Sequence, residues 1–175
     1  DMQKLSMMVM LVGSLALAAC NNPDKYGNGA GGAGGAGGAG GIGMGGLGDP
    51  SNPNSPAYFQ QTIGDTVRFL VDQSTISPEA QATLTQQALW LNQHPQYTAI
   101  IEGHADEQGT REYNLALGAR RASAVQAFLI SQGVSGTRLK TVSYGKERPL
   151  AVCSEESCFA QNRRAVTVIS AGAGV

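Results

Sequence analysis

Residues 100–122 read IIEGHADEQGTREYNLALGARRA and predict a strand, a polar turn and a long helix in succession. The mostly apolar residues 99–102 are typical of a short buried strand. Thr110 is a favourable N-cap residue, and Gly133 is placed to end the helix in the usual C-terminal position. A strand that leads through a turn into a helix is a basic unit of proteins that mix the two.

Two charged residues in this stretch are placed to bind a ligand. Asp106 lies in the turn, and Arg121 shares one helix face with Asn114 and Leu117, because the three recur at i, i+3 and i+7. Such a pair suits a zwitterion, since the acid accepts from an ammonium and the arginine donates to a carboxylate. The alternative is that Asp106 forms a structural salt bridge or caps the helix.

The rest of the pattern predicts further strands and helices around this unit. Residues 66–71 alternate apolar and polar side chains, and the helix that follows is capped by Ser77 and ends at His94, which precedes a proline. Residues 139–144 and 165–169 are rich in Val, Thr and Tyr and predict two more strands. The order β-α-β-α-β-β predicts an α/β fold, an α+β sandwich of one mixed sheet with helices on one face.

Residues 1–19 have the pattern of an export signal. Lys4 gives a short positive region, an apolar core follows, and the segment ends in LAAC at Cys20. This ending is similar to a bacterial lipobox, so Cys20 is expected to carry acyl chains that anchor the protein. Asn21, where an aspartate would signal inner-membrane retention, indicates the outer membrane. The alternative is an ordinary secretory signal with a chance cysteine.

Residues 20–56 are expected to form a flexible linker that carries the lipid at its start. The tract is rich in Gly and Ala up to Gly48 and in Pro, Ser and Asn beyond it, so it has little apolar area to offset its ordering entropy. A coil of about 35 residues spans about 30–35 Å on average and about 120 Å when taut. Residues 57–172 are then the folded domain.

Composition argues against several classes of protein. The chain has 175 residues and a net charge of −1, whereas a nucleic-acid binder usually shows a basic face. His104 lies in an H-x-D-E sequence without metal-ligand spacing, and neither a second ligand cluster nor a nucleophile motif accompanies it. No cofactor, metal ion or nucleic-acid partner is therefore expected.

Three separated stretches together resemble the OmpA-like peptidoglycan-binding domain family. They are EGHADE-x-GT-x-EYN-x-x-LG-x-RRA at 102–122, VSYGKERP at 142–149 and NRRAV at 162–166. The resemblance extends over about residues 64–170 and implies the fold that the pattern of strands and helices predicts. It also implies a domain that binds the cell wall and is not an enzyme.

The resemblance assigns roles to five side chains in binding the diaminopimelate of the peptidoglycan stem peptide. In the family, the aspartate of the H-x-D-x-x-G turn binds the ammonium and the second arginine of R-R-A binds the carboxylate, and these are Asp106 and Arg121 here. Asn114 and Leu117 would line the pocket, and Asp72 at the end of the first strand would reach it.

The neighbours of Asp72 depart from the family pattern F-D-x-D. Leu70 replaces the first aspartate, and Val71 stands where an aromatic residue is common. The alternative for Asp72 is an ordinary turn residue, because Asp favours turns between a strand and a helix.

Resemblance to the lipid-anchored members of the family implies partners as well. These are peptidoglycan, the outer membrane through the lipid, and the Tol proteins, chiefly TolB, in envelope integrity and cell division. The alternatives are an OmpA-like wall anchor not tied to Tol, a periplasmic enzyme that acts on peptidoglycan, and a structural lipoprotein with a vestigial pocket.

The loop before the last strand contains two cysteines and an arginine pair. Cys153 and Cys158 would meet an oxidising compartment after export, which favours a disulfide, with two reduced cysteines as the alternative. For residues 162–164, the resemblance implies a tie between the loop and the strand edge and a contact with the bound peptide. The residues themselves favour a structural arginine cluster near Glu155 and Glu156.

Overall fold

A four-stranded sheet organises residues 47–171, which are the residues that the computed structural model describes. Its strands are β1 (Thr66–Arg68), β2 (Tyr97–His104), β3 (Leu139–Gly145) and β4 (Arg164–Ala171), in the order β1-β4-β2-β3. β4 is antiparallel to β1 and β2, whereas β2 and β3 are parallel, so the predicted mixed sheet is confirmed. The predicted signal and Cys20 lie outside the described residues.

Four α-helices accompany the strands within residues 47–171. They are α1 (Pro56–Tyr58), α2 (Pro78–Gln93), α3 (Arg111–Ser131) and α4 (Glu156–Asn162). A π-helical stretch, Phe59–Gly64, follows α1, and a 3-10 turn, Gly136–Arg138, leads into β3. No helix in this part of the chain is long and apolar enough to cross a membrane.

Local signals set the ends of the two long helices. The Ser77 hydroxyl accepts a hydrogen bond from the Ala80 amide at 3.2 Å, and a proline occupies the first position of α2. The Thr110 hydroxyl accepts from the Tyr113 amide at 3.2 Å at the start of α3. The glycine that follows α3 has a φ of +91°, a conformation that a larger residue rarely adopts. The predicted N-caps are therefore confirmed.

α2 and α3 cover the same face of the sheet. The cross-strand pairs Ile101–Thr167 and Gly103–Ala165 place these four residues on one face. The Thr167 hydroxyl donates to the Gln87 side chain of α2 at 2.9 Å, and Gly103 lies against α3. The buried core between the two layers includes Val67, Leu84, Leu91, Ile101, Val125, Leu129 and Leu139. Full burial of one such side chain contributes about 1.5–3 kcal/mol.

Two glycines let α3 approach β2 closely. A Cβ atom at Gly103 would overlap the Gly118 carbonyl group, and a Cβ atom at Gly118 would lie 2.8 Å from the Gly103 carbonyl oxygen. Neither position admits a larger side chain unless the helix moves. The contact sets the height of α3 above the end of β2, and Arg121 lies about one turn further along that helix.

β1 is shorter than the alternating pattern of residues 66–71 predicts. Its last residue, Arg68, lies opposite Arg164, which is the first residue of β4, and only the bond from the Phe69 amide to the Arg163 carbonyl at 2.9 Å continues the pairing. The chain then turns at Asp72, whose φ of +54° is in the left-handed region that Asp tolerates better than most residues.

Residues 49–56 pack on the domain, whereas their composition predicts a linker. The Trp90 indole donates to the Pro53 carbonyl at 2.7 Å, and the Tyr97 hydroxyl donates to the Asn54 carbonyl at 3.1 Å. The Pro, Ser and Asn content of this segment is typical of tight turns as well as of linkers. Its backbone carbonyls accept hydrogen bonds from buried aromatic side chains, and amino-acid composition cannot predict such contacts.

Candidate functional site

The predicted ligand residues converge at one end of the sheet. Asp72 follows β1, Asp106 lies in the loop after β2, and Asn114, Leu117 and Arg121 lie on one face of α3. The last three are buried, as is Asp106, whereas Asp72 is exposed. The site is therefore a junction of three elements, and the side chain of Arg121 connects them.

Arg121 is completely buried, and its guanidinium binds three backbone carbonyls. Nε donates to Gln73 at 2.8 Å, Nη1 to His104 at 2.8 Å and Nη2 to Leu70 at 3.0 Å. The guanidinium carbon also lies 5.2 Å from the centroid of the Phe69 ring. A guanidinium has five N–H donors, so two remain beyond these three bonds.

Arg121 keeps its charge in this position. Burial lowers the pKa of the guanidinium to about 10, while the negative charges of Asp106 and Asp72 act in the opposite direction. The side chain is thus protonated at neutral pH. Among residues 47–171, no carboxylate lies within ion-pair distance of Arg121. The two aspartates therefore act on it through space.

Asp106 already has a cationic partner. One carboxylate oxygen accepts from Nη1 of Arg163 at 3.1 Å, and the other accepts from the Gln108 amide at 3.2 Å. The structural salt bridge that the sequence left open as an alternative is therefore present. A carboxylate offers about four acceptor positions, so these two hydrogen bonds do not use all of its acceptor capacity.

Asp72 lies at the exposed rim of the site. Its carboxylate accepts from the Tyr113 hydroxyl at 3.2 Å. Leu70 and Val71, which depart from the family pattern, are exposed over 66% and 47% of their surface. Residues 70–73 thus cover the guanidinium of Arg121 with their backbone and present apolar side chains to solvent.

Asn114 contributes a buried acceptor without a donor. Its side-chain amide donates to the Gln108 carbonyl at 2.7 Å, but its Oδ1 has no hydrogen-bond partner among the described residues. A buried acceptor left unpaired is destabilising, so this position favours a ligand or a water that donates. Leu117, 3% exposed, separates Asn114 from Arg121 along the helix with an apolar surface.

Arg163 is the residue whose role sequence reasoning underestimated. It is 4% exposed, pairs with both Asp106 and Glu156, and donates to the Phe69 carbonyl at 3.3 Å. The predicted arginine cluster is present at Glu156, whereas the Glu155 side chain makes no capping hydrogen bond to α4. Arg163 and Asp106 are 57 positions apart, and no local pattern indicates their contact.

The two residues beside Arg163 hold the loop that precedes β4. The Asn162 side chain accepts from the amides of Leu150 and Ala151 at 2.7 and 3.1 Å. Arg164 donates to the Arg148 carbonyl at 3.3 Å. These contacts link the loop to the start of the strand.

Cys153 and Cys158 form a disulfide, with their Cα atoms 5.8 Å apart. The bond spans the start of α4, so the first turn of that helix is covalently closed.

His104 is buried beneath the site, with 2% of its surface exposed. Burial, together with the charges of Arg164 and Arg148, lowers the pKa of its imidazole to about 4. Neither ring nitrogen has a hydrogen-bond partner among the described residues. That part of the chain also contains no group of three or more His, Cys, Asp or Glu side chains that could hold a metal ion.

Solved structures with the same arrangement of strands and helices define the class of this domain. The peptidoglycan-associated lipoprotein from Burkholderia pseudomallei is 43% identical, with a TM-score of 0.62 over 70% of this chain and 100% of that chain. The OmpA-like domain of FopA1 from Francisella tularensis is 18% identical and shares the fold, with a TM-score of 0.54 over 60% of this chain and 70% of that chain. The α/β sandwich is thus an OmpA-like domain.

Residues 68–163 match the OmpA family, and the chain belongs to that family. It is 53% identical to the peptidoglycan-associated lipoprotein of Mesorhizobium japonicum over 95% of this chain and 92% of that protein. It is 50% identical to the protein of that name from Agrobacterium fabrum, over 99% of this chain and 94% of that protein. The family that the three sequence stretches resemble is confirmed. The name of these relatives describes a lipoprotein that associates with peptidoglycan.

Proposed function

We propose that this chain is a lipid-anchored protein of the outer membrane whose OmpA-like domain binds peptidoglycan without a covalent bond. The ligand is the diaminopimelate of the stem peptide, whose side chain ends in an ammonium and a carboxylate. Two observations support the proposal. Relatives at 50% and 53% identity carry a name that associates them with peptidoglycan, and the negative charges of Asp72 and Asp106, which follow β1 and β2, act on Arg121 of α3.

The observation that carries the proposal is a buried, charged Arg121 without a paired carboxylate. Three carbonyls fix the orientation of its guanidinium, and two N–H groups remain. A ligand carboxylate would supply the missing anion in a bidentate contact, which is the geometry that a guanidinium favours.

The ammonium of the same ligand would lie on the acidic side of the site. The charges of Asp72 and Asp106 both act on Arg121, so the ligand ammonium, which shares a carbon with the ligand carboxylate, would lie toward these two side chains. The unpaired Oδ1 of Asn114 offers the ammonium a further acceptor. A ligand that carries both charges satisfies the two sides of the site together.

Access to Arg121 requires residues 70–73 to shift, because the guanidinium is completely buried and two of its hydrogen bonds go to this segment. The exposed side chains of Leu70 and Val71 leave this segment without a packed apolar cover. After such a shift, the ligand carboxylate would reach the two N–H groups that the three carbonyl bonds leave free.

Calorimetric titration of the full chain in detergent tests the proposal. The ligands are a soluble stem peptide with diaminopimelate and the same peptide with lysine, which lacks the second carboxylate. Saturable binding is expected, with about tenfold or greater preference for diaminopimelate, because a charged hydrogen bond contributes about 1.5–3 kcal/mol. Equal affinity for both peptides, or no binding, would contradict the proposed ligand.

Asp106→Asn is the matched side-chain test, since it keeps the shape of the residue and removes the charge. Binding of the diaminopimelate peptide is expected to weaken about tenfold or more. Glu112→Gln removes the same charge from the exposed first turn of α3 and serves as the control. Equal losses in the two variants would assign the effect to net charge.

The lipid anchor is proposed at Cys20, which lies in the LAAC sequence. Metabolic labelling with a radioactive fatty acid is expected to mark the chain and to fail in Cys20→Ala. Recovery of the labelled protein with outer-membrane fragments would support the proposed location. Label that persists in the variant would exclude Cys20 as the acceptor.

A place in the Tol system is proposed only from the family resemblance of the sequence and rests on no contact of this domain. Co-purification with TolB under crosslinking tests it directly. A chain that binds wall peptides but never crosslinks to a Tol protein would be a wall anchor of another kind.

The proposed role is binding rather than hydrolysis. Purified walls incubated with the chain are expected to sediment intact with the protein bound. Release of soluble wall fragments would instead indicate an enzyme.

A further inference from the structure

We propose that Glu156 is a specificity-determining residue of this site, because it neutralises Arg163 and so leaves Asp106 available for the ligand ammonium. The inference rests on the proposed function, since it takes Asp106 as a contact of that ammonium. It adds a residue from α4 to a site otherwise built from β1, β2 and α3.

An ammonium that approaches Asp106 meets a second cation. Nη1 of Arg163 lies 3.1 Å from Oδ2 of Asp106, and both side chains are almost completely buried, so water screens their charges weakly. Two cations that share one carboxylate repel each other. Without another anion nearby, Arg163 would therefore weaken the binding of a positively charged ligand to Asp106.

Glu156 supplies that anion. Its two carboxylate oxygens contact the guanidinium of Arg163, one at Nη2 and the other at Nη1, the latter at 3.4 Å. The hydrogen bond with Arg163 lowers the pKa of Glu156, which is therefore charged at neutral pH. Two carboxylates and one guanidinium leave this group with one net negative charge, which a single ammonium balances.

The fold holds Glu156 in this position. It is the first residue of α4, and it lies inside the ring that the Cys153–Cys158 disulfide closes. Arg163 follows the same helix directly, so both partners of the ion pair are attached to one short rigid element. The neighbouring Glu155 carries the same charge and makes no side-chain capping bond, which makes it a matched control.

A cycle of two ligands and three proteins tests the inference. The ligands are the diaminopimelate stem peptide and the same peptide with its side-chain ammonium replaced by hydrogen and its carboxylate kept. The proteins are the wild type, Glu156→Gln and Glu155→Gln, each as the full chain in detergent. For each protein, the dissociation constant of the ligand without the ammonium is divided by that of the diaminopimelate peptide. This ratio measures how much the ammonium strengthens binding, and any loss of folded protein cancels from it.

The ratio is expected to fall about fivefold in Glu156→Gln, a modest change because Glu156 is 66% exposed and solvent screens its charge. It is expected to remain unchanged in Glu155→Gln. An identical ratio in all three proteins would overturn the inference, even if Glu156→Gln bound both ligands more weakly. An equal fall in both variants would also overturn it, since net charge alone would explain that result. If the wild type did not distinguish the two ligands, the proposed function itself would fail.

Discussion

Nε of Arg121 donates a hydrogen bond to the carbonyl of Gln73 at 2.8 Å, across 48 positions of sequence. This bond and the bond to the Leu70 carbonyl tie α3 to the segment after β1, and the bond to the His104 carbonyl ties it to the end of β2. The proposed carboxylate-binding residue is therefore also the residue that holds the site together before a ligand arrives. Substitution of Arg121 affects folding as well as binding, and the two effects need separate measurements.

Arg121→Lys is expected to lower the free energy of unfolding by about 2–4 kcal/mol, because an ammonium cannot reach all three carbonyls and buried carbonyls are left unpaired. Urea unfolding followed by circular dichroism measures the change. Arg120→Lys, at the exposed neighbouring position, is the control and should stay within about 0.5 kcal/mol of the wild type. Equal stability of the two variants would show that the carbonyl bonds contribute little.

Gly118→Ala is expected to destabilise the domain by about 1–3 kcal/mol, since the added methyl group has no space against the backbone of Gly103. Gly48→Ala is the matched change at a position where a Cβ atom meets nothing within 4 Å. Thermal unfolding of both variants gives the comparison. A Gly118→Ala protein as stable as Gly48→Ala would mean that α3 shifts without loss.

His104 is expected to make stability depend on pH below neutrality. Its pKa is about 4 in the folded chain and about 6.5 for an ordinary exposed histidine, so the unfolded chain binds the extra proton over this interval. The free energy of unfolding should therefore fall as pH decreases from about 6.5 to about 4, and this contribution is constant above that window.

His104→Asn lacks this titration and is the comparison for the pH effect. Urea unfolding of the wild type and the variant at several pH values gives the difference between them. That difference should change between pH 6.5 and 4 and stay flat above pH 7. A difference that is constant over the whole range would contradict the low pKa.

The double variant Cys153→Ser, Cys158→Ser is expected to lose about 2 kcal/mol of stability, the loop-closure value for a short ring. Urea unfolding of the oxidised wild type and the double variant measures it. Added reductant should bring the wild type to the stability of the variant and leave the variant unchanged. A response of the variant to reductant would point to another thiol.

Local sequence patterns predict much of the fold. Thr110 caps α3, Ser77 caps α2, and the buried stripe of each helix recurs at helical spacing, so these elements follow from short-range chemistry. α4 was not predicted, because its seven residues are too few to show a helical repeat of apolar side chains. The end of β1 was missed because it depends on where β4 begins.

The sequence predicts less of the site than of the fold. Charge and helix spacing bring Asp106 and Arg121 to the same end of the sheet, and the structure agrees. The bonds of Arg121 to backbone carbonyls leave no trace in the sequence, because every residue has a carbonyl. The pairing of Arg163 with Asp106 depends on tertiary packing, and only a structure reveals it.

The packing of residues 49–56 bears on how the domain would carry mechanical load. A pull on the preceding chain would pass through Leu47, which packs against the core, to the bonds from Trp90 to Pro53 and from Tyr97 to Asn54. Tyr97 begins β2 and His104 ends it, about 23 Å further on at about 3.3 Å per residue. With the proposed lipid anchor and the proposed wall contact, tension and resistance would therefore act at opposite ends of one central strand.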